Sequence, residues 1–350
     1  MLDHLKVYSP GYQAIEWGFD YHQCVDLDTA LAQPCSIAVV PVYCDRVTEF
    51  SWKPEFADLK LHDFDLVLFT DIEWRSQAEL IGWIESTGVE RWLLHVAGRW
   101  LDETLDPRVI YRPAWSFNFL RWNAPRTDFP LDRPYLFDCL LGARREHRDF
   151  VMLALQQHGL LDASITTYRD IFVGHWIQHT PKRVTACFGN TDLKYPYVSP
   201  NLDPAWEVKP QLDNSVSGLV PWEIYNRTWF SVVCETLASG RIFLSAEKMG
   251  KCLQARRLFV TFAIQNFLQH YQQWGFETFG DVIDESYDRE ADDILRWQKA
   301  FEQVQQLSRD NLPLLLKKLR SRLDHNHNRL YELEQIIRKH MHAKIGDYLK

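Results

Sequence analysis

Three short apolar runs, each bounded by polar turn residues, mark the first third of the chain: Ser36–Val42, Asp65–Thr70 and Trp92–Ala97. Runs of this length, rich in Val, Leu and Ile, predict strands buried on both faces, as in a parallel sheet. Between the last two, residues 77–85 bring Leu80, Ile81, Trp83 and Ile84 to roughly one helical face. Strand, helix, strand is a βαβ unit.

The pattern then breaks and restarts. Pro107, Pro113, Pro125, Pro130 and Pro134, interleaved with Trp115, Phe117, Phe119 and Trp122, read as an aromatic-anchored connector at a domain border. Beyond it, residues 135–142 predict a strand, and 146–158 a helix stopped by Gly159. Residues 180–221 are proline-rich and polar, which predicts a long surface excursion. Regular structure resumes with a strand over 228–236 that ends in the carboxylate of Glu235, a strand over 241–244, a helix over 246–255 and a strand over 258–262. From about residue 290 the period is helical, with Pro313 as one break and an amphipathic helix as the tail from Asn326 to Lys350.

A chain of 350 residues is about right for two domains of roughly 150 residues each. The expected division is 1–134, 135–295 and a pair of closing helices over 296–350. Asp and Glu outnumber Lys and Arg by 47 to 39, a net charge of −8 that argues against nucleic acid as a general partner. The seven cysteines are scattered and never paired as CxxC, so neither a zinc site nor a disulfide framework is expected. The N-terminus lacks the apolar stretch of a signal peptide, and no run approaches the roughly 18 apolar residues of a membrane span. A cytoplasmic protein is the expectation.

Two segments can carry chemistry. In Leu140-Leu141-Gly142-Ala143-Arg144-Arg145-Glu146-His147-Arg148 a strand ends, a glycine permits a tight turn, and cations gather where a helix exposes free N–H groups. Arg144 and Arg148 lie four apart and can clamp a diphosphate, although a solvated basic helix start has the same pattern. In Ser245-Ala246-Glu247-Lys248-Met249-Gly250-Lys251, a helix opens directly after a strand with Ser245 as a candidate N-cap. Glu247 can accept from both ribose hydroxyls while Lys248 and Lys251 reach a phosphate, or Glu247 and Lys251 form an ordinary surface pair. In the first half, Asp71 and Glu73 follow the strand over 66–69, at a sheet edge where α/β proteins build sites. Either can be a base that deprotonates a hydroxyl, or a loop carboxylate. The acidic group Asp281, Asp284, Glu285 and Asp288 and the tail histidines His325, His327, His340 and His342 fit solvated caps and helix faces better than metal ligands.

The order Glu235-Thr236, then Ser245-Ala246-Glu247-Lys248 with Lys251, then a strand and Phe267-Leu268, then Gly275-Phe276-Glu277-Thr278-Phe279, resembles the donor-binding half of the α-1,3-fucosyltransferase family. Phe279–Asp288 resembles a segment of bacterial and phage glycosyltransferase-like proteins. The similarity spans about residues 135–300. It implies that Glu247 meets the nucleotide ribose, that Lys248 lies near the phosphates, and that an upstream arginine, Arg144 or Arg148, meets the diphosphate.

The expectation is therefore an α/β protein of two Rossmann-like domains facing a cleft, a GT-B-like arrangement with C-terminal helices. It would move a hexosyl or fucosyl group from a nucleotide-sugar to a glycan or other hydroxyl acceptor, inverting and without metal. Arg144, Arg148, Glu235, Glu247, Lys248 and Lys251 would bind the donor, and Glu73 or Asp71 would be the base. No cofactor beyond the nucleotide-sugar co-substrate is expected. The alternatives are a non-catalytic interaction protein on a degenerate glycosyltransferase fold and a phage-type transferase acting on modified nucleic acid.

Overall fold

The computed structural model describes residues 5–9, 17, 23–33, 35–45, 49–52, 60–71, 76–113, 132–169, 180–189, 191–202 and 219–350. Packing divides the chain into two compact units, Met1–Arg121 with Arg241–Ser245 and Tyr331–Lys350, and Trp122–Gly240 with Ala246–Leu330. The sequence reading places linear borders at 134 and 295. The units are not linear in the chain: the last helix divides at Leu330/Tyr331, and residues 242–244 pair with Gly98–Trp100 in the first unit.

The first unit holds β1 (Val7–Tyr8), β2 (Cys24–Val25), α1 (Leu27–Leu31), β3 (Ile37–Asp45), β4 (Glu49–Trp52), β5 (Leu66–Asp71), α2 (Gln77–Ser86), β6 (Trp92–Val96), β7 (Gly98–Trp100) and β8 (Val109–Tyr111). Its sheet runs β2-β1-β3-β5-β6-β8, all parallel, with β4 antiparallel to β3. Because successive strand residues face opposite ways, Ile37, Val39, Leu66 and Leu68 bury on one face with Met341 and Ile345, while Ala38, Val40, Val67 and Phe69 bury on the other with Leu80 and Ile84 of α2. A sheet covered on both sides needs continuous apolar runs, and this explains why the sequence revealed β3, β5 and β6. The helix start is also specified: Glu103 accepts from Gln77 N at 3.0 Å and from Ser76 Oγ at 2.5 Å.

The second unit holds β9 (Tyr135–Leu141), α3 (Glu146–Gln157), β10 (Ser164–Tyr168), α4 (Lys182–Phe188), β11 (Tyr197–Val198), α5 (Trp222–Tyr225) and β12 (Thr228–Cys234). After β13 (Ile242–Leu244), which pairs with β7 in the first unit, come α6 (Glu247–Gln254), β14 (Leu258–Phe262), α7 (Phe267–Gln273) and α8 (Asp293–Leu307). The last helix, α9, spans Leu312–Tyr348. The sheet order is β11-β10-β9-β12-β14, parallel except for the edge strand β11. Helix α3 ends as predicted: Gly159 takes φ +63°, its N–H donates to Gln156 O, and Leu160 N donates to Leu155 O, a Schellman closure. Pro313 does not break a helix. It lies in the first turn of α9, where Asn311 Oδ1 accepts from Leu314 N and no intrahelical partner is lost.

The fold is α/β, with parallel sheets of the Rossmann-like kind and C-terminal helices, and no described helix is long and apolar enough to cross a membrane. β10 escaped the sequence reading because its core residues Ser164, Thr166 and Thr167 are polar; Ser164 Oγ and Thr166 Oγ1 satisfy each other at 2.8 Å.

Beneath the second sheet lies a buried ionic knot. Arg257, directly before β14, donates to Asp138 Oδ1 on β9 at 2.7 Å, to Ser231 Oγ on β12 at 3.1 Å, and to the carbonyls of Tyr225 and Phe230 at 2.8 Å each. Asp138 also accepts from Thr228 and Ser231 at 3.0 and 2.9 Å. Removing one member of a buried pair strands the other charge. Asp138→Ala should therefore cost about 3–5 kcal/mol of stability, read as a lower urea midpoint of the second unit; a loss below about 1 kcal/mol would show the knot to be incidental.

Candidate functional site

In the second sheet β9 connects outward to β10, whereas β12 connects toward β14 on the other side, so strand order reverses between β9 and β12. Open α/β sheets bind ligands outside the carboxyl ends of the strands at such a reversal. Three elements meet there. β9 runs through Gly142 into the first turn of α3, β12 runs into Glu235, and α6 opens after β13.

The main chain of Glu235 is held from two sides. Its N–H donates to Phe262 O on β14 at 3.0 Å, and its carbonyl accepts from His147 Nε2 at 2.9 Å and Arg148 Nη2 at 3.3 Å, both from α3. Because a carbonyl only accepts, His147 carries its proton on Nε2; burial first, then the neighbouring Arg148, keeps the ring neutral by moving its pKa well below the usual range. The Glu235 side chain is fully buried, and its Oε2 accepts from Thr236 N and Ala246 N at 3.2 Å each, while Oε1 has no partner among the described residues. Burial pushes this carboxyl up to about 7, with Lys248 opposing the shift and Glu247 adding to it.

Ala246, not Ser245, is the N-cap of α6; no side chain caps the first turn, and the carboxylate of Glu235 accepts from the N–H of the N-cap residue itself. In the first turn, Lys248 Nζ donates to Glu247 Oε1 at 3.0 Å and to Thr236 Oγ1 at 3.4 Å. Both side chains remain partly exposed, at 22% and 29%. Burial would raise Glu247, but Lys248 and Lys251 outweigh it and hold the carboxyl down at about 2. Lys251, one turn on, is pushed down to about 8 by burial, against the pull of Glu247.

The structure thus brings Arg148, Glu235, Glu247, Lys248 and Lys251 together at one edge. Arg148 is 3% exposed and donates to Ala143 O at 2.6 Å, so it lies under the edge and ties the β9–α3 turn to the end of β12. Arg144 turns to a different partner: its Nε and Nη2 grip Asp149 at 3.1–3.2 Å, and Nη2 reaches Thr180 Oγ1 at 2.7 Å, with Tyr168 OH completing the carboxylate at 2.6 Å. His147 and Arg145 also belong to this edge, and residue spacing alone does not single them out. Arg145, the N-cap residue of α3, is lowered to about 10 by burial and the nearby Arg148. A cation at the N-cap position after a glycine turn is the signal in the sequence that points to it. In the first unit, the backbone of Asp71 closes β5, while its side chain and the whole of Glu73 lie outside the described residues.

The acidic group is built into the fold. Asp281 pairs with Arg322, Asp284 caps Ser286 N at 2.9 Å, Glu285 accepts from Phe279 N at 2.7 Å, and Asp288 caps α7 through Leu268 N at 3.0 Å. His325 and His327 meet the carbonyls of Gly275 and Gln254 at 2.9 and 2.8 Å. No protein-family model matches the chain, and no curated protein matches it. The chemistry of the edge therefore rests on its own geometry: cations from two helices, two carboxylates of opposite character, and the start of a helix.

The raised carboxyl has a consequence for stability. Folded Glu235 keeps its proton up to about pH 7, whereas an unfolded glutamate releases it near 4.5. The folded state thus binds more protons between those values, and stability falls as pH rises through that window, by about 3 kcal/mol in total. Glu235→Gln should remove this fall: the ratio of its stability at pH 8 to that at pH 4.5, from urea titrations, should exceed the wild-type ratio. Parallel profiles for the two proteins would show that Glu235 ionises normally.

Proposed function

We propose that the second unit binds the diphosphate of a nucleotide-sugar at the β9/β12 edge and that the protein transfers the sugar to an acceptor hydroxyl held by the first unit, the division of labour of a GT-B glycosyltransferase. The observation that carries this reading is the convergence of α3, the end of β12 and the first turn of α6 on one point of strand reversal, with Lys248 and Glu247 at the surface of that point. A helix start after a parallel strand favours phosphate oxygens, and a carboxylate held ionised beside it suits a ribose diol. Glu247, kept charged by its two lysines, has that character.

Chemistry follows from the placement of charge. As the glycosidic bond to the nucleotide breaks, negative charge grows on the leaving diphosphate, and Lys248, Lys251 and the α6 N–H groups stabilise it without reorganising. Arg145 can add a further cation from α3. Arg148 acts from below by holding the turn, and Arg144, committed to Asp149, orients the start of α3. A carboxylate of the first unit, Glu73 ahead of Asp71, accepts the acceptor's proton so that the hydroxyl oxygen can attack the anomeric carbon as the diphosphate departs.

A panel of nucleoside diphosphates and sugar nucleotides tested by thermal shift decides the reading. A ligand at a hundred times its Kd should add about 2.7 kcal/mol to stability. Lys248→Ala should weaken that ligand about tenfold or more, since a charge-assisted hydrogen bond contributes about 1.5–3 kcal/mol. A panel in which nothing stabilises the protein would reject the proposal. Catalysis has its own check: Glu73→Gln should lower turnover by about 10²- to 10⁴-fold and leave donor affinity unchanged, and full turnover in that variant would move the base elsewhere.

A further inference from the structure

Ala246 opens α6, and its N–H is one of the donors that would draw an anion to this helix start. Glu235 Oε2 already occupies it, at 3.2 Å. Among the described residues, groups of α3, α6 and β14 face this carboxylate or its main chain. His147 and Arg148 of α3 are directed at its main-chain carbonyl, Lys248 and Glu247 stand in the first turn of α6 with Lys251 behind them, and β14 presents the carbonyl of Phe262. Among these cations, Lys248 is the one left partly exposed beside both carboxylates, so an incoming phosphate would meet it first. A phosphate drawn to Lys248 takes away part of the positive charge that lets a fully buried carboxylate stay ionised. It also adds negative charge where little water screens it. One route relieves both effects, because Oε1 is buried and without a partner among the described residues and can carry a proton with no rearrangement of the bonds to Oε2.

We infer that binding of a diphosphate at this edge takes up one proton at Glu235, so that this residue couples ligand affinity to pH without touching the ligand. The inference rests on the reading of the edge as a diphosphate site. A proton passes from solvent to Oε1, the charge on the Glu235 side chain goes from −1 to zero, and the bonds from Thr236 and Ala246 remain. Glu235 is thus a positioning residue whose ionisation sets the charge of the cradle. Its effect is largest above neutral pH, where the free carboxylate must be protonated before the anion is tolerated. Below pH 6 it is protonated in advance and the coupling vanishes.

Calorimetric titration of the full chain with inorganic pyrophosphate, in buffers of different ionisation heat, counts the protons taken up. The titration of pyrophosphate itself is common to all proteins compared and cancels in the difference. At pH 8 the wild type should take up about one proton more than Glu235→Gln, the difference should vanish at pH 5.5, and wild-type affinity should fall up to about tenfold more per pH unit above 7. Infrared difference spectra of the wild type alone give a reading that needs no variant: addition of pyrophosphate at pH 8 should produce the carbonyl band of a protonated carboxylic acid. Bound pyrophosphate with equal proton uptake in both proteins, or with no such band, would overturn the inference and leave the diphosphate site standing. Failure of pyrophosphate and of every nucleoside diphosphate to bind the wild type would overturn both.

Discussion

The pair formed by Arg257 and Asp138 is the constraint on which the second unit turns. A guanidinium buried to 2% and a carboxylate buried to 5% have no water to fall back on, so every donor and acceptor must be met by protein. Besides each other, the two groups are met by residues of β12 and of the short helix α5, so β9, β12 and the residue that leads into β14 are fixed against one another. A slip of β12 by one residue would move Ser231 and Thr228 off Asp138 and turn the strand's apolar residues to the wrong face. Such a pair adds little net stability over an apolar core of the same shape. Its contribution is to the choice of register.

Register at the lower end of the sheet determines what meets at the upper end. β9 and β12 pair Phe230 with Phe137 and Ser231 with Asp138, so β9 runs out at Leu141 and β12 at Cys234 on the same edge. The loop of β9 then delivers His147 and Arg148 to the carbonyl of Glu235. β14 takes the N–H of the same residue. With its backbone held by α3 and β14, Glu235 sends its side chain to the start of α6. The buried acid of the candidate site is thus a consequence of strand register and not of its own chemistry.

Much of this was legible in the sequence, and the reasons separate cleanly. Strands buried on both faces announce themselves as apolar runs, so β3, β5, β6, β9, β12 and β14 were visible, as was the end of α3 at Gly159. Strands of two or three residues, such as β1, β2, β7 and β8, have no period to detect. β10 was hidden for another reason, since its buried residues are polar, with Ser164 and Thr166 bonded to each other, and such a run imitates a loop. At the site, the residue types were readable while their directions were not. Spacing placed Arg144 and Arg148 on one helical face; the fold separates them because α3 starts at Glu146, which leaves Arg144 in the turn before the helix, free to swing to Asp149. Ser245 looked like a cap by its type, but a carboxylate far away in sequence had already taken the N–H.

The fate of the two arginines also indicates where an anion would be held. An arginine bound bidentately to a fully buried aspartate, as Arg144 is, has its charge answered, and drawing it to a phosphate would strand Asp149 in the core. Arg148 gives its Nη groups to two carbonyls, which supply partial rather than full negative charge, so its positive charge is still felt at the edge above although its side chain is covered. Lys248 faces Glu247, but that carboxylate is shared with Lys251, and two ammonium groups against one carboxylate leave a positive excess. Glu235 reduces this excess only when ionised. The attraction of the edge for an anion is therefore greatest when Glu235 is neutral, and the burial that makes this residue costly to ionise also keeps the cradle positive near neutral pH.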